Sequence, residues 1–199
     1  MSTAKLSYRS KIAYALPAFS LAVVGIPVYV YLPKFYTDVI GVPMTALGVI
    51  LLAVRVFDAV TDPWIGGLSD RTRLPFGRRR PFILAGSILT AGAMLFLFNP
   101  PEGSPFFSTV WFCTGMFALF LFWTMVTVPY ESLGPEMTFD YNERTALFAL
   151  RDGFLIAGTL AAASAPAIAG GLLGLFGGES DERHTFFWIS VVYAPLLVA

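Results

Sequence analysis

The sequence predicts an all-α membrane protein with six transmembrane helices, and three observations predict it. Of its 199 residues, 56% are hydrophobic and only 13% charged, against about 25% charged in a soluble domain. The apolar residues gather in runs of roughly the 20 that a helix needs to cross the hydrocarbon core. The basic residues collect in alternate loops. Mean hydropathy is +0.71, and an aromatic content of 16% excludes a disordered chain.

The elements follow in order. Lys5, Arg9 and Lys11 precede a first span at about residues 12–32. This run is too long for a leader peptide, carries Pro17 and Pro27, and shows no small-residue cleavage site. Further spans are expected at 44–68, 81–98, 107–130 and 146–176. A sixth begins near Thr185 and is still apolar at Ala199, as a helix cut short would be. Only helices or closed barrels satisfy their backbone in lipid, and these runs are too long for barrel strands. Turn-forming stretches such as Asn99-Pro100-Pro101-Glu102-Gly103 close the loops. No linker divides the chain, so residues 1–199 are expected to form one bundle.

Nine of the thirteen basic residues fall on one side: Lys5, Arg9, Lys11, Arg71, Arg73, Arg78, Arg79, Arg80 and Arg144. Lys34 and Arg183 are expected in the opposite loops. By the positive-inside rule the N-terminus is cytoplasmic, in a multi-pass cell-membrane protein. The single Cys113 excludes an internal disulfide and a cysteine zinc site, and the lone His184 argues against histidine metal or triad chemistry.

Two arginines, Arg55 and Arg151, fall within predicted spans. Span two reads Arg55-Val-Phe-Asp58-Ala-Val-Thr61-Asp62-Pro63. Residues three and four apart share a helix face, so Arg55, Asp58, Thr61 and Asp62 project together. At 1.5 Å per residue, Asp58 lies roughly 3 Å past the middle of the span and Asp62 roughly 9 Å. Each such charge at mid-membrane costs about 2.5–3.5 kcal/mol on insertion scales. The face must line a polar cavity or pair with other helices. One account is a buried ion-pair cluster in which Arg55 neutralises one aspartate. The preferred account uses the carboxylate left over, which takes up a proton or a cation. Asp58 and Asp62, with the Thr61 hydroxyl between, supply hard oxygen ligands for Na⁺ or H⁺. Pro63 frees the Ala59 carbonyl as a further oxygen ligand, although a simple kink is the preferred account of that proline.

After span two comes Gly66-Gly-Leu-Ser-Asp70-Arg-Thr-Arg73-Leu-Pro-Phe-Gly77-Arg78-Arg79-Arg80-Pro81. This order of glycines, acid and arginines resembles the loop 2–3 motif of the major facilitator superfamily. The extra residues before Gly77 resemble the version in the glycoside–pentoside–hexuronide:cation symporters, the melibiose-permease-like family. The likeness extends from Lys5-Leu-Ser-Tyr8 through Phe35-Tyr36-Thr37-Asp38-Val39 to the segment Val128-Pro-Tyr-Glu-Ser-Leu-Gly-Pro-Glu136-Met-Thr-Phe-Asp140-Tyr-Asn-Glu143-Arg144-Thr145.

The resemblance implies that Asp58 and Asp62 bind the coupling cation and that Thr124 on span four helps to hold it. Thr61 stands where the family usually has asparagine, which leaves Na⁺ or H⁺ open. Asp70, Arg73, Arg78, Glu143 and Arg144 resemble a cytoplasmic gate of loop residues whose ion pairs break and re-form between two halves as access alternates. Positions that carry substrate-reading acids in the melibiose permease are Ala22 and Thr127 here. Trp123 takes the place of a helix-four aromatic, Glu131 that of a tryptophan, and Arg151 is kept. A site that loses its acids loses sugar hydroxyl partners, which argues against melibiose itself. Trp123 is expected either to stack on a sugar ring or to face lipid or core. Glu131 is read either as an acid in the site or as a charge at the helix end.

The resemblance implies a cation-coupled secondary transporter of a small, sugar-like solute, made of twelve helices in two halves. This chain would be the N-terminal half, and a six-helix C-terminal half, lipid and the solute would be its partners. No nucleic acid and no cofactor beyond Na⁺ or H⁺ are expected. The alternatives are a Mg²⁺-dependent intramembrane transferase using the Asp58/Asp62 pair and a transport-inactive half-protein. Small residues from Gly153 through Gly174, including Gly170 and Gly174 in a GxxxG pattern, predict close packing of span five. Trp64, Trp111 and Trp188 fit interfacial belts.

Overall fold

A computed structural model describes residues 6–72 and 77–175, with positions 191, 192 and 195. Among the described residues there are five helices long and apolar enough to cross a membrane. They are α1 (Tyr8–Val39), α2 (Met44–Arg71), α3 (Arg80–Phe98), α4 (Pro105–Met137) and α5 (Tyr141–Leu175). The sixth span expected from Thr185, with Arg183 and Trp188, lies outside the described residues, as does Arg73.

Local chemistry sets the ends. Ser7 caps α1 by accepting from the Ser10 N–H at 3.2 Å, and Ser104 caps α4 by accepting from the Phe107 N–H at 3.3 Å. Pro105 follows Ser104 at the first helical position, where no N–H is needed. Asp140 caps α5 through Oδ1 and the Glu143 N–H at 3.0 Å. Gly41 turns the chain between α1 and α2 at φ +81°, a conformation that L side chains rarely adopt.

Four helices run further than their apolar runs. α1 continues past Leu32 to Val39 through two wide π-helical turns, Pro27–Tyr31 and Phe35–Val39. Both turns adjoin prolines, Pro27 and Pro33, whose missing N–H already interrupts the α pattern. Lys34, expected in a loop, is therefore helical. α4 continues seven residues beyond Tyr130, so Glu131 sits inside the helix rather than at its end. α5 starts at Tyr141, which puts Glu143 and Arg144 in its first turns instead of a loop, and Asp70 belongs to the last turn of α2. Hydropathy marks only the segment crossing lipid. Caps and polar turns carry a helix beyond it.

α1 packs along α5, α3 along α4, and α2 against α4. One core joins Val23, Val24, Leu32 and Tyr36 of α1 to Met94 and Leu97 of α3 and to Phe112, Met116 and Leu119 of α4. Tyr36 donates to the Leu97 carbonyl at 2.7 Å, which satisfies a phenol buried in that core. A second cluster locks α1 to α4, with the rings of Tyr14 and Tyr130 stacked at 5.1 Å and Tyr130 donating to the Tyr14 carbonyl at 2.8 Å. Gly158 permits the α1–α5 approach, since a Cβ there would lie 2.5 Å from the Phe19 carbonyl oxygen. Gly170 and Gly174 belong to the end of α5, where side-chain surroundings lie outside the described residues. Trp64 is 68% exposed on α2, and Trp111 stacks on Phe96 at 3.7 Å while donating to its carbonyl at 3.1 Å.

Candidate cation and solute site

The i, i+4 spacing sets Asp58 and Asp62 one turn apart on the face of α2 that meets α4. Thr124, near the middle of α4 and only 1% exposed, stands between them. Its Oγ1 lies 2.9 Å from Asp58 Oδ1 and 3.0 Å from Asp62 Oδ1. A hydroxyl has one proton to donate, so it satisfies one of the two acceptors at a time. Its lone pairs face the second carboxylate oxygen, and that contact becomes favourable when a proton or cation enters between them. A protonated second carboxyl would donate to Oγ1 while Oγ1 donates to the first. A bare cation would instead find two carboxylates and a hydroxyl, the hard oxygen donors that suit Na⁺.

Thr61 is buried on the same helix, but its hydroxyl donates to the Asp58 backbone carbonyl at 3.2 Å rather than to either carboxylate. That bond uses the hydroxyl proton and leaves the oxygen lone pairs, which are what a cation would meet. Arg55 does not close on Asp58. Its Nη1 is 3.6 Å from Oδ2, and its guanidinium lies over the rings of Tyr29 and Phe120, at 4.8 and 5.2 Å. The ion-pair account of this face is therefore a loose one.

A cavity of about 330 Å³ opens between α1, α4 and α5. All five residues expected at a solute site, Ala22, Trp123, Thr127, Glu131 and Arg151, line it. Trp123 and Thr124 are neighbours on α4 but point apart, the indole into this cavity and the hydroxyl to α2, so one helix serves both places. Thr127 donates to the Trp123 carbonyl at 3.1 Å, which leaves its oxygen as an acceptor only. Arg151 is held by Asp152, with Nε and Nη2 at 2.9 and 2.8 Å from Oδ1, and lies 4.8 Å from the Phe148 ring centroid. Tyr29 and Tyr130 also line the cavity and were not anticipated. Tyr29 falls one turn after Gly25 on the Ala22 face of α1, a helical periodicity that could have pointed to it.

At the arginine-rich end, Asp70 Oδ1 is 3.0 Å from Arg79 Nη2, which also reaches Glu136 Oε1 at 2.8 Å. Arg78 shares that Glu136 oxygen at 2.9 Å. Arg79, not singled out by the sequence, is the buried centre of this group at 7% exposure and also donates to the Pro129 carbonyl at 3.4 Å. Three arginines in a row give no sign of which one turns inward. Glu143 accepts from Lys11 at 2.8 Å and from the Leu6 N–H at 3.3 Å, and Arg144 is exposed. The described partners of Asp70, Arg78 and Glu143 are thus Arg79, Glu136, Lys11 and Leu6, all in this chain.

Five long apolar helices, with a carboxylate pair between two of them and a mainly apolar cavity carrying a few polar side chains beside it, define a multi-pass α-helical membrane protein of the transporter type. A family model described as MFS/sugar transport protein matches residues 13–199. An uncharacterized symporter of Synechocystis is 37% identical over 171 residues, which is 80% of this chain and 30% of that protein. A protein of Escherichia coli named "Putative glycoside/cation symporter YagG" is 36% identical over 183 residues, 92% of this chain and 39% of that protein. The isoprimeverose transporter of Lactiplantibacillus pentosus is 29% identical over 190 residues, 95% of this chain and 39% of that protein. The chain belongs to this family, within the glycoside–pentoside–hexuronide:cation symporters of the major facilitator superfamily. It spans between 30% and 39% of the length of these curated relatives. The names of the family and of these relatives are those of transporters, not enzymes, which removes the transferase alternative.

Proposed function

We propose that the chain is the N-terminal half of a cation-coupled symporter for a small, sugar-like solute, with its N-terminus cytoplasmic. Asp58, Asp62 and Thr124 hold the coupling Na⁺ or H⁺, and Ala22, Trp123, Thr127, Glu131 and Arg151 form this half's wall of the solute site. The single observation that carries the reading is the Thr124 hydroxyl within 3.0 Å of both carboxylates, a contact that joins them without neutralising either, while Arg55 comes no closer to Asp58 than 3.6 Å. A cation neutralises the pair, α2 and α4 settle against each other, and the cavity that α4 also lines accepts solute. The loaded protein then rocks about the midplane against a C-terminal half. The symporter and sugar-transporter names of the relatives support both the coupling and the solute class.

Uptake of a panel of glycosides and pentosides into vesicles carrying the intact protein, with and without a Na⁺ gradient and with and without a pH gradient, tests this. Asp58→Cys and Asp62→Cys should each abolish gradient-driven uptake while the protein remains folded in the membrane. Normal uphill uptake in both variants would overturn the assignment.

A further inference from the structure

Arg55 is a cation within an apolar span, one turn from Asp58, yet its nearest nitrogen stops 3.6 Å from the carboxylate. A guanidinium free to move forks onto a carboxylate at about 2.7–2.9 Å. Two rings account for the shortfall. Tyr29 of α1 and Phe120 of α4 meet edge to face, with centroids 5.8 Å apart and planes at 74°. The guanidinium lies over both, at 4.8 and 5.2 Å. The contacts of Asp58 divide accordingly: Oδ1 to Thr124 and Oδ2 towards Arg55.

We propose that Tyr29 and Phe120 clamp Arg55 back from Asp58, so that the arginine is a restrained competitor of the coupling cation. This rests on the assignment of Asp58 and Asp62 as the cation site. If the clamp opened, Arg55 would close on Oδ2 and neutralise the carboxylate from within the protein. One charge would then be satisfied permanently, and the external cation would bind more weakly. Held back, Arg55 lowers the cost of two carboxylates side by side without filling the place between them. Tyr29 also lines the solute cavity, so a solute that touches it touches the clamp.

The test uses the intact protein in lipid nanodiscs. Cation binding is read by calorimetric titration with NaCl against choline chloride, and proton uptake is read separately in Na⁺-free buffer. Replacing both rings, Tyr29→Leu with Phe120→Leu, should weaken binding of whichever cation the wild type takes by about tenfold. Phe120→Tyr, which keeps a ring, should stay within about twofold of wild type. Adding Arg55→Gln to the two leucine substitutions should restore the affinity, because the competitor is gone. Unchanged affinity in the ring-less variant overturns the proposal. Weakened affinity that Arg55→Gln does not restore also overturns it, by showing that the rings act through packing. A wild-type protein that binds neither Na⁺ nor protons at Asp58 and Asp62 overturns the site assignment, and this inference with it.

Discussion

Thr124 offers one hydroxyl proton to two carboxylates, with Oγ1 at 2.9 Å from Asp58 and 3.0 Å from Asp62. Removing the hydroxyl at constant shape separates its contribution from packing. A hydrogen bond to a charged group contributes about 1.5–3 kcal/mol, so Thr124→Val should raise the half-saturating cation concentration roughly ten- to hundredfold. Thr124→Ser should stay near wild type. Equal affinities for the valine and serine variants would show that the hydroxyl plays no part.

Arg79 and Arg78 share Glu136 but differ in burial, at 7% and 47% side-chain exposure. An exposed pair contributes about 0–1 kcal/mol, so Arg78→Gln should scarcely move thermal stability in detergent. Arg79→Gln leaves two half-exposed acids and the Pro129 carbonyl without their shared partner, and a loss of about 2 kcal/mol is expected. The same melting temperature for both variants would remove Arg79 from the centre of the network.

Lys11 and Glu143 pair at 2.8 Å with 16% and 18% side-chain exposure, and they tie the start of α1 to that of α5. Either charge reversal alone, Lys11→Glu or Glu143→Lys, should lower the melting temperature, since each sets two like charges side by side. The double reversal should recover at least half of the loss. Additive losses would show that the two charges do not act as a pair.

Gly158 and Gly153 lie on the same helix in opposite surroundings. A methyl at Gly158 would press on the Phe19 carbonyl, while one at Gly153 would meet nothing within 4 Å. Gly158→Ala should cost about 1–3 kcal/mol by overpacking. Gly153→Ala should be neutral or stabilising by up to about 1 kcal/mol, because alanine favours a helix. Thermal unfolding of the two variants side by side checks this, and a stabilised Gly158→Ala would contradict the close approach.

Much of this molecule can be read along the chain. Where the helices cross lipid follows from the width of the hydrocarbon core, a constraint on consecutive residues: the expected spans 44–68, 81–98 and 107–130 lie within α2, α3 and α4, and the span from 146 lies in α5 as far as Leu175. That Asp58 and Asp62 share a face follows from 3.6 residues per turn. Helix ends were less legible, since the Asp140 cap and the polar first turn with Glu143 extend α5 in a way that hydropathy ignores. What brings residues together across helices was decided only by tertiary packing. The rotation of α4 turns Trp123 into the cavity and Thr124 onto α2, the register of α1 against α4 sets two rings under Arg55, and the start of α3 turns Arg79 rather than Arg78 or Arg80 inward. Such contacts join positions distant in sequence, 66 apart for Thr124 and Asp58 and 57 for Arg79 and Glu136, and they depend on how whole helices cross, which no local pattern encodes. The sequence by itself determined which charges had to be hidden from lipid. The fold decided which partners those charges meet.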